Sequence, residues 1–152
     1  VGLENLEIKW QSRNDIIEVT IGVVGEKGNI HAFNPSQTII GSQVLSLEEK
    51  FMGGTGINLT PPPTKYVETK IVNLAKQRAE KVANKLGVEG YARVDAFMNI
   101  KSGDLVIIEV NTLPALTPST VLFHQALQEE VPLMPLSLIE ELVTLGKGRF
   151  KK

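Results

Sequence analysis

Two short segments in the second half of the chain carry the side chains best suited to metal and phosphate chemistry. Arg93 and Asp95 lie two residues apart in one segment, and Glu109 and Asn111 lie two residues apart in the next. Residues two apart in a β-strand point to the same face of a sheet. Carboxylate and amide oxygens suit Mg²⁺ that is also bound to nucleotide phosphates, and a fixed arginine suits charge on a transferring phosphoryl group. Paired strands would therefore form a magnesium and nucleotide site.

The turn between the two segments determines whether they meet. A three-residue loop, 101–103, with Gly103 in its left-handed third position is a common hairpin connection. It would pair Ile100 with Asp104, and counting outward puts the two carboxylates opposite each other and the arginine opposite the asparagine. The same residues also fit an exposed polar strand face with a cross-strand ion pair, worth about 0.2–1 kcal/mol. Spacing alone leaves both interpretations open.

The elements that must position these residues follow from hydrophobic periodicity and from glycine and proline breaks. The first third of the chain is predicted to be a β meander, and 50–63 a long loop without regular structure. A helix is predicted from Thr64, as its N-cap, to Leu86, where Gly87 ends it. The other predicted elements are a hairpin with its first strand at 16–24 and its turn at 25–28, short strands at 37–40 and 44–47, strands at 91–100 and 105–110, and helices near 119–128 and 136–145.

Composition narrows the class of protein. A length of 152 residues with 42% hydrophobic content predicts one domain, 1–152. A net charge of -1 gives no basic field for nucleic acid. No apolar run of about 18 residues and no signal peptide are visible, so we expect no membrane partner and a cytoplasmic location. With no cysteine and two separated histidines, any metal must be bound by oxygen.

The amino-acid sequences of the two segments resemble those of a known family. Gly90–Asp95, followed by Glu109–Pro114, is similar to the magnesium-site signature of D-alanine–D-alanine ligases. The resemblance extends to Glu18–Thr20, to Glu49–Phe51 and to the helix end at Leu86, so it covers most of the chain. It implies an α+β fold, the C-terminal lobe of an ATP-grasp enzyme, with a mainly antiparallel sheet flanked by helices. It also implies that the chain is a piece of a longer enzyme whose upstream domains hold the first substrate.

The resemblance also implies roles for the polar residues. Asp95, Glu109 and Asn111 would ligate Mg²⁺ or Mn²⁺, with Asn111 also close to the nucleotide. Arg93 would act in catalysis by contacting the reacting phosphate and the tetrahedral intermediate, and so would also bind substrate. Glu18 would bind the ribose of ATP.

Four further residues are implied to lie around the substrates. Lys50 would begin a mobile loop that closes over the phosphates of ATP and takes part in catalysis, although a plain loop is the alternative. Thr120 and the backbone near Ala115 would bind the carboxylate of the second amino acid, and simple helix capping is the alternative for the hydroxyls in this segment. Phe51, near the second substrate, replaces a usual tyrosine, and Ala115 replaces a usual glycine, which leaves that substrate open.

The implied activity is that of an ATP-dependent carboxylate–amine ligase, which joins D-alanine units through an acyl phosphate for peptidoglycan synthesis. The alternatives are another ligase on the same scaffold, including one that accepts D-lactate, and a catalytically silent nucleotide-binding module. The implied partners are ATP, small amino acids, upstream domains of the same chain and a second copy in a homodimer.

Overall fold

The computed structural model describes residues 15–39 and 57–149 of the 152-residue chain. Within these ranges the strands are β1 (Ile16–Glu26), β2 (Asn29–Ala32), β3 (Gln37–Ile39), β4 (Ile57–Leu59), β5 (Gly90–Asn99) and β6 (Leu105–Asn111). The helices are α1 (Thr69–Leu86), α2 (Val121–Leu127) and α3 (Pro135–Arg149). The predicted α+β class is confirmed.

Four of the strands form the main sheet, in the order β2-β1-β5-β6, and all neighbouring pairs are antiparallel. The predicted hairpin supplies β1 and β2, and its Gly28 has a φ of +86°, a conformation that glycine adopts without steric cost. β1 also pairs with β5 from Ile16↔Asn99 to Gly25↔Gly90. β3 and β4 form a separate two-stranded sheet. β1 and β5 are therefore the centre of the main sheet.

One face of the main sheet is covered by α1. Alternate residues of β1 and β5 point to this face, and they are at most 5% exposed: Ile17, Val19, Ile21, Val23, Ala92, Val94, Ala96 and Met98. The matching side chains of α1 are Ile71, Val72, Ala75, Ala79 and Ala83. The alternation predicted for β5 is confirmed, and it directs Arg93 and Asp95 to the opposite face.

That opposite face is covered only toward one end. Val24 of β1 and Tyr91 of β5 pack there against α2 and α3 through Leu122, Phe123 and Leu138. Toward the other end of the strands the same face carries polar side chains and remains accessible in the part of the chain that the structure describes. One face of the sheet is therefore covered by a helix, and the opposite face is covered along only part of its length in the described residues.

The predicted start of the long helix is wrong. α1 begins at Thr69 rather than at Thr64. The backbone N–H groups of Tyr66 and Val67 both donate to the carbonyl of Pro63, at 2.9 and 3.1 Å. These bonds close a turn, so the helical ladder starts only after it. The predicted end is confirmed, with a left-handed C-terminal glycine after the last helical residue.

The expectation that 50–63 lacks regular structure is also wrong in one part. Ile57–Leu59 forms β4, which pairs with β3 from Gln37↔Leu59 to Ile39↔Ile57. Glycines before this segment and prolines after it conceal a three-residue strand that forms only because β3 is available as a partner. The predicted strand at 44–47 lies outside the described residues.

The longest described helix, α1, has 18 residues. Neither it nor any other helix in the described ranges has the length and hydropathy of a membrane span.

Candidate active site

The predicted pairing of the two polar segments is confirmed. In the β5–β6 hairpin, Asp95 lies opposite Glu109, and Arg93 lies opposite Asn111. All four residues are on the face that is not covered by α1. The hairpin therefore brings two carboxylates, an amide and a guanidinium together from positions up to 18 apart in sequence.

The loop of this hairpin has four residues, not the three that were predicted. The backbone N–H of Asn99 donates to the carbonyl of Asp104 at 2.9 Å, and that of Gly103 donates to the carbonyl of Asn99 at 2.8 Å. The side-chain oxygen of Asn99 also accepts from the N–H groups of Lys101 and Ser102, which favours this longer turn. Gly103 has the left-handed φ that was predicted, +70°.

A bulge in β6 compensates for the longer loop. On the loop side of the bulge, Ala96 pairs with Ile107. In the next pair, Asp95 lies opposite Glu109, so Ile108 has no partner. One extra residue in a strand reverses the face that each later side chain occupies. The pairing predicted at the site is therefore correct although the loop from which it was counted is wrong.

Two donors hold the carboxylate of Asp95. The hydroxyl of Thr20 on β1 donates to Oδ1 at 2.8 Å. Arg93 donates from Nε to both carboxylate oxygens, at 3.1 and 3.2 Å, and from Nη2 to Oδ2 at 2.9 Å. Nη2 also lies 3.6 Å from Oε1 of Glu109. The ion pair expected of a polar strand face is thus present, and its guanidinium bridges the two carboxylates.

The donor set fits a hard divalent cation. The side chain of Asp95 is 15% exposed and that of Glu109 is 61% exposed, so one carboxylate is fixed and the other is free to adjust. Oδ1 of Asn111 accepts from the N–H of Leu113 at 3.0 Å, which leaves it a second lone pair. No three His, Asp or Glu side chains of the described residues cluster as a metal site. A cation here would displace Arg93 from Asp95 and complete its shell with water or phosphate oxygens.

Glu18 lies on the same face, one strand away. It pairs with Phe97, just as Thr20 pairs with Asp95, so its exposed side chain is two residues along β1 from the donor to the carboxylate. Phe97 is 43% exposed, and Val106 beside it on β6 is 65% exposed. The polar group is therefore bordered by an accessible apolar surface.

The residues expected at the second substrate are only partly described. Ala115 is exposed in the segment between β6 and α2. Thr120 is half-buried at the N-cap of α2, and its side chain makes no capping hydrogen bond, so its hydroxyl is not committed to the helix. Lys50 and Phe51 lie outside the described residues.

Two residues at the site were not identified from the sequence. Thr20 was missed because its partner Asp95 is 75 positions away, across a pairing that local patterns do not reveal. Gln125 is fully buried and bonds to the backbone of β1. Its signal was present, since it lies three residues after buried Leu122, at a core-facing helical position where a polar residue is unusual.

Comparisons with known proteins identify the family. Residues 10–144 match the sequence model of the family described as D-ala D-ala ligase C-terminus. The chain belongs to this family. It is 30% identical over 146 residues to a D-alanine–D-alanine ligase of Flavobacterium psychrophilum, a match that covers 96% of the chain and 42% of the relative. The chain spans about a third to two fifths of the length of such curated relatives.

Solved structures agree on the fold. The D-Ala:D-Ser ligase VanG from Enterococcus faecalis superposes with a TM-score of 0.63 at 22% identity, over 85% of this chain and 36% of that one. A D-alanine–D-alanine ligase from Bacillus anthracis, complexed with ATP, gives a TM-score of 0.60 at 18% identity, over 89% of this chain and 39% of that one. The fold is the C-terminal lobe of the ATP-grasp ligases, as predicted.

Proposed function

We propose that this chain forms the magnesium-binding side of the active site in an ATP-dependent D-alanine–D-alanine ligase. The observation that carries the proposal is the β5–β6 register, which gathers Arg93, Asp95, Glu109 and Asn111 on the accessible half of one sheet face. The similarity to D-alanine–D-alanine ligases along nearly the whole chain supports it. The product would be a dipeptide for peptidoglycan synthesis.

The proposed reaction has two steps, and each develops negative charge that the positively charged groups of the site would stabilise. The carboxylate of the first D-alanine attacks the γ-phosphorus of ATP, and ADP leaves to give an acyl phosphate. The amine of the second amino acid then attacks the acyl carbon, and inorganic phosphate leaves as the amide bond forms. Both steps develop negative charge on phosphate or acyl oxygens, and preorganised cations stabilise such charge.

The polar residues divide this work. Asp95, Glu109 and Asn111 would hold Mg²⁺ or Mn²⁺, and the cation would supply positive charge to the phosphates. Arg93, which donates to Asp95 in this structure, would contact the transferring phosphoryl group and then the tetrahedral intermediate, where its positive charge would stabilise the charge on oxygen. Glu18 accepts hydrogen bonds from the ribose hydroxyls.

The apolar border of the polar group suits the adenine of ATP. Phe97 pairs directly with Glu18 on one side and with Val106 on the other, so a base that packs on these two side chains brings its ribose close to Glu18. Aromatic and aliphatic side chains commonly line nucleotide pockets in this way. The other wall of the cleft would come from upstream domains of the same polypeptide.

The second amino acid is proposed to bind beside α2. Its carboxylate would contact Thr120 and the backbone near Ala115, while Lys50 and Phe51 would belong to a loop that closes over the substrates and excludes water. Phe51 in place of tyrosine favours a second candidate function, a ligase that accepts another small molecule in place of the second D-alanine. Such enzymes use ATP and cytoplasmic amino acids, so the proposed location is the cytoplasm, and a homodimer is proposed as the assembly.

The decisive experiment measures Mg²⁺-dependent phosphate release from ATP by the full-length protein, with and without D-alanine. Glu109→Gln removes one ligand charge and should lower the rate at least about 100-fold, the scale seen when one stabilising group is removed from such a site. Glu26→Gln, an exposed glutamate at the far end of β1, is the matched control and should change the rate little. If phosphate release depends on neither D-alanine nor Glu109, the dipeptide-ligase function is contradicted, and a catalytically silent module or a different substrate takes its place.

The second substrate is identified by product analysis. The full-length protein is incubated with ATP, D-alanine and one of D-alanine, D-serine or D-lactate, and the products are separated by mass. D-Alanyl-D-alanine as the main product supports the first candidate function. A depsipeptide or a mixed dipeptide as the main product supports the second.

A further inference from the structure

Gln125 is the buried polar residue of α2 and lies against the central strand. Its side chain is 0% exposed, and it shares the inner side of the helix with Leu122 and Ala126. A buried carboxamide must satisfy all its hydrogen-bonding atoms to avoid a large desolvation cost. Gln125 meets that demand with backbone and side-chain partners on β1 and on the segment after β2.

The carboxamide replaces a missing partner in the sheet. Phe33 donates its N–H to the carbonyl of Gly22 at 2.8 Å, and Ser36 exchanges two backbone bonds with Thr20. Between these two contacts the N–H of Gly22 finds no strand partner and donates instead to Oε1 of Gln125 at 2.8 Å. Nε2 of Gln125 donates to the carbonyl of Thr20 at 2.7 Å and to the hydroxyl of Ser36 at 3.0 Å.

The helix can reach the strand because position 22 is glycine. A Cβ at Gly22 would lie 2.4 Å from Cδ1 of Leu122 and 2.6 Å from Oε1 of Gln125. No other residue type permits so close an approach. Helix and strand are thus fixed to each other by contact as well as by hydrogen bonds.

The contacts of Gln125 connect the two halves of the proposed site. On one side, Gln125 bonds to the carbonyl of Thr20, whose hydroxyl donates to Asp95. On the other side, Thr120 lies five positions before Gln125, at the N-cap of the same short helix. Gln125 therefore links, through its hydrogen bonds, the strand that carries the donor to Asp95 and the helix that carries Thr120.

We propose that Gln125 is a positioning residue that holds α2, and with it Thr120, in register with the Thr20–Asp95 pair, so that its loss weakens use of the second amino acid more than use of ATP. This inference rests on the proposed ligase function for its kinetic part. Its geometric part depends only on the hydrogen bonds of Gln125.

The test compares Gln125→Met with Ile71→Ala in the full-length protein. Methionine keeps the length of the side chain but removes every hydrogen bond to β1. Ile71 is buried in α1 on the opposite face of the sheet, so its substitution destabilises the domain without touching α2. Chemical denaturation measures how much stability each variant has lost, and the kinetic constants for ATP and for the second amino acid are then determined.

We expect kcat/KM for the second amino acid to fall about 10- to 100-fold in Gln125→Met, the scale for a reacting group displaced by about 1 Å. The KM for ATP should stay close to that of the wild type. Ile71→Ala should leave the ratio between the kinetic constants for the second amino acid and for ATP unchanged, even if it lowers the free energy of unfolding as much as Gln125→Met does. Equal losses for ATP and for the amino acid, or no loss for either, overturn the proposal.

Hydrogen exchange provides a readout that does not need activity. In Gln125→Met the amide of Gly22 and those of α2 should exchange faster, while amides of β5 and β6 keep their protection. If the wild type proves inactive as a ligase, the proposed function fails, and the exchange data still decide the geometric part. Unchanged protection of α2 in Gln125→Met overturns the proposal in either case.

Discussion

Asp95 is the most constrained side chain of the candidate site. Thr20 and Arg93 both donate to its carboxylate, and 15% of the side chain is exposed. Glu109 opposite it makes only a 3.6 Å contact with the same guanidinium. A cation would therefore find one preoriented ligand and one adaptable ligand, with Thr20 setting the orientation of the first.

Thr20→Val should weaken metal binding without unfolding the domain. Valine has nearly the shape of threonine but cannot donate to Asp95, and loss of such an outer partner costs about 10- to 100-fold in metal affinity. Titration of Mn²⁺ in the presence of ATP, followed by electron paramagnetic resonance, measures the change. Thr20→Ser keeps the donor and should bind metal like the wild type. Equal Mn²⁺ affinities for the wild type and both variants would show that Thr20 does not contribute to metal binding.

At the scale of single elements, the β5–β6 hairpin combines a longer loop with a compensating bulge. The side chains of β6 return to the correct face only because Ile108 is left unpaired. Removing one residue at the bulge would give a regular ladder with the same register at Glu109, whereas adding one there would turn Glu109 away. The bulge thus accommodates one residue that a regular ladder would not need, and what matters is that Glu109 stays opposite Asp95.

Deletion of Ile108 should therefore preserve metal binding, while insertion of one alanine after Ile108 should abolish it. The insertion would turn Glu109 and Asn111 to the face covered by α1. The loss of metal affinity should therefore exceed the roughly 10- to 100-fold that is typical when a group hydrogen-bonded to a ligand is removed. Mn²⁺ titration measures both variants, and far-ultraviolet circular dichroism checks that each is folded. A deletion variant that is folded but cannot bind Mn²⁺ would contradict this account.

The close contact between α2 and β1 leads to a second prediction at the scale of single elements, which concerns the free energy of unfolding. Gly22→Ala places a methyl group within 2.4–2.6 Å of two side chains, and overpacking of this kind costs about 1–3 kcal/mol of unfolding free energy. Gly146→Ala is the matched control, because it lies in α3 with no atom within 4 Å of the new Cβ, and it should stabilise the helix by about 0.5–1 kcal/mol. Urea denaturation gives both values. Equal stability of the two variants would exclude a close contact at Gly22.

Local patterns predicted most elements but not their long-range partners. The alternation of β5, the hairpin at Gly28 and the stop at Gly87 each depend on neighbouring residues, and the structure confirms them. The pairing of β1 with β5 depends on chain closure over a long distance, which no local pattern encodes. Thr20 was missed for that reason, and β4 was missed because a three-residue strand exists only through its partner. The roles of Asp95, Glu109 and Asn111 in metal binding remain a prediction.

At the scale of the whole molecule, the two sides of the sheet differ in how they are covered. α1 covers one face, whereas α2 and α3 cover only part of the other. Phe97, Val106 and Ile108 remain 43–65% exposed beside the polar residues. If the proposed ligase function is correct, this accessible half would face the nucleotide.

Nucleotide binding should therefore protect backbone amides from hydrogen exchange on one side of the main sheet. In the full-length protein, Mg²⁺ and a non-hydrolysable ATP analogue should slow hydrogen exchange in β6, the edge strand of the main sheet as described, and in the first half of β1. Amides of α1 should change much less, because this helix lies on the other side of the sheet. Protection centred on α1 would indicate that the nucleotide binds elsewhere.

The contact between Gly22 and Gln125 also has a consequence for evolution. The two residues are 103 positions apart, yet the carboxamide fits only against a bare backbone, and that backbone amide depends on the carboxamide. A homologue that has a side chain at position 22 must shift α2 outward, and a glutamine at position 125 would then lose its partners. We expect the two positions to change together in related sequences. Chimeras that join β1 of one relative to α2 of another should fold poorly when only one of the two parents has glycine at position 22 and glutamine at position 125.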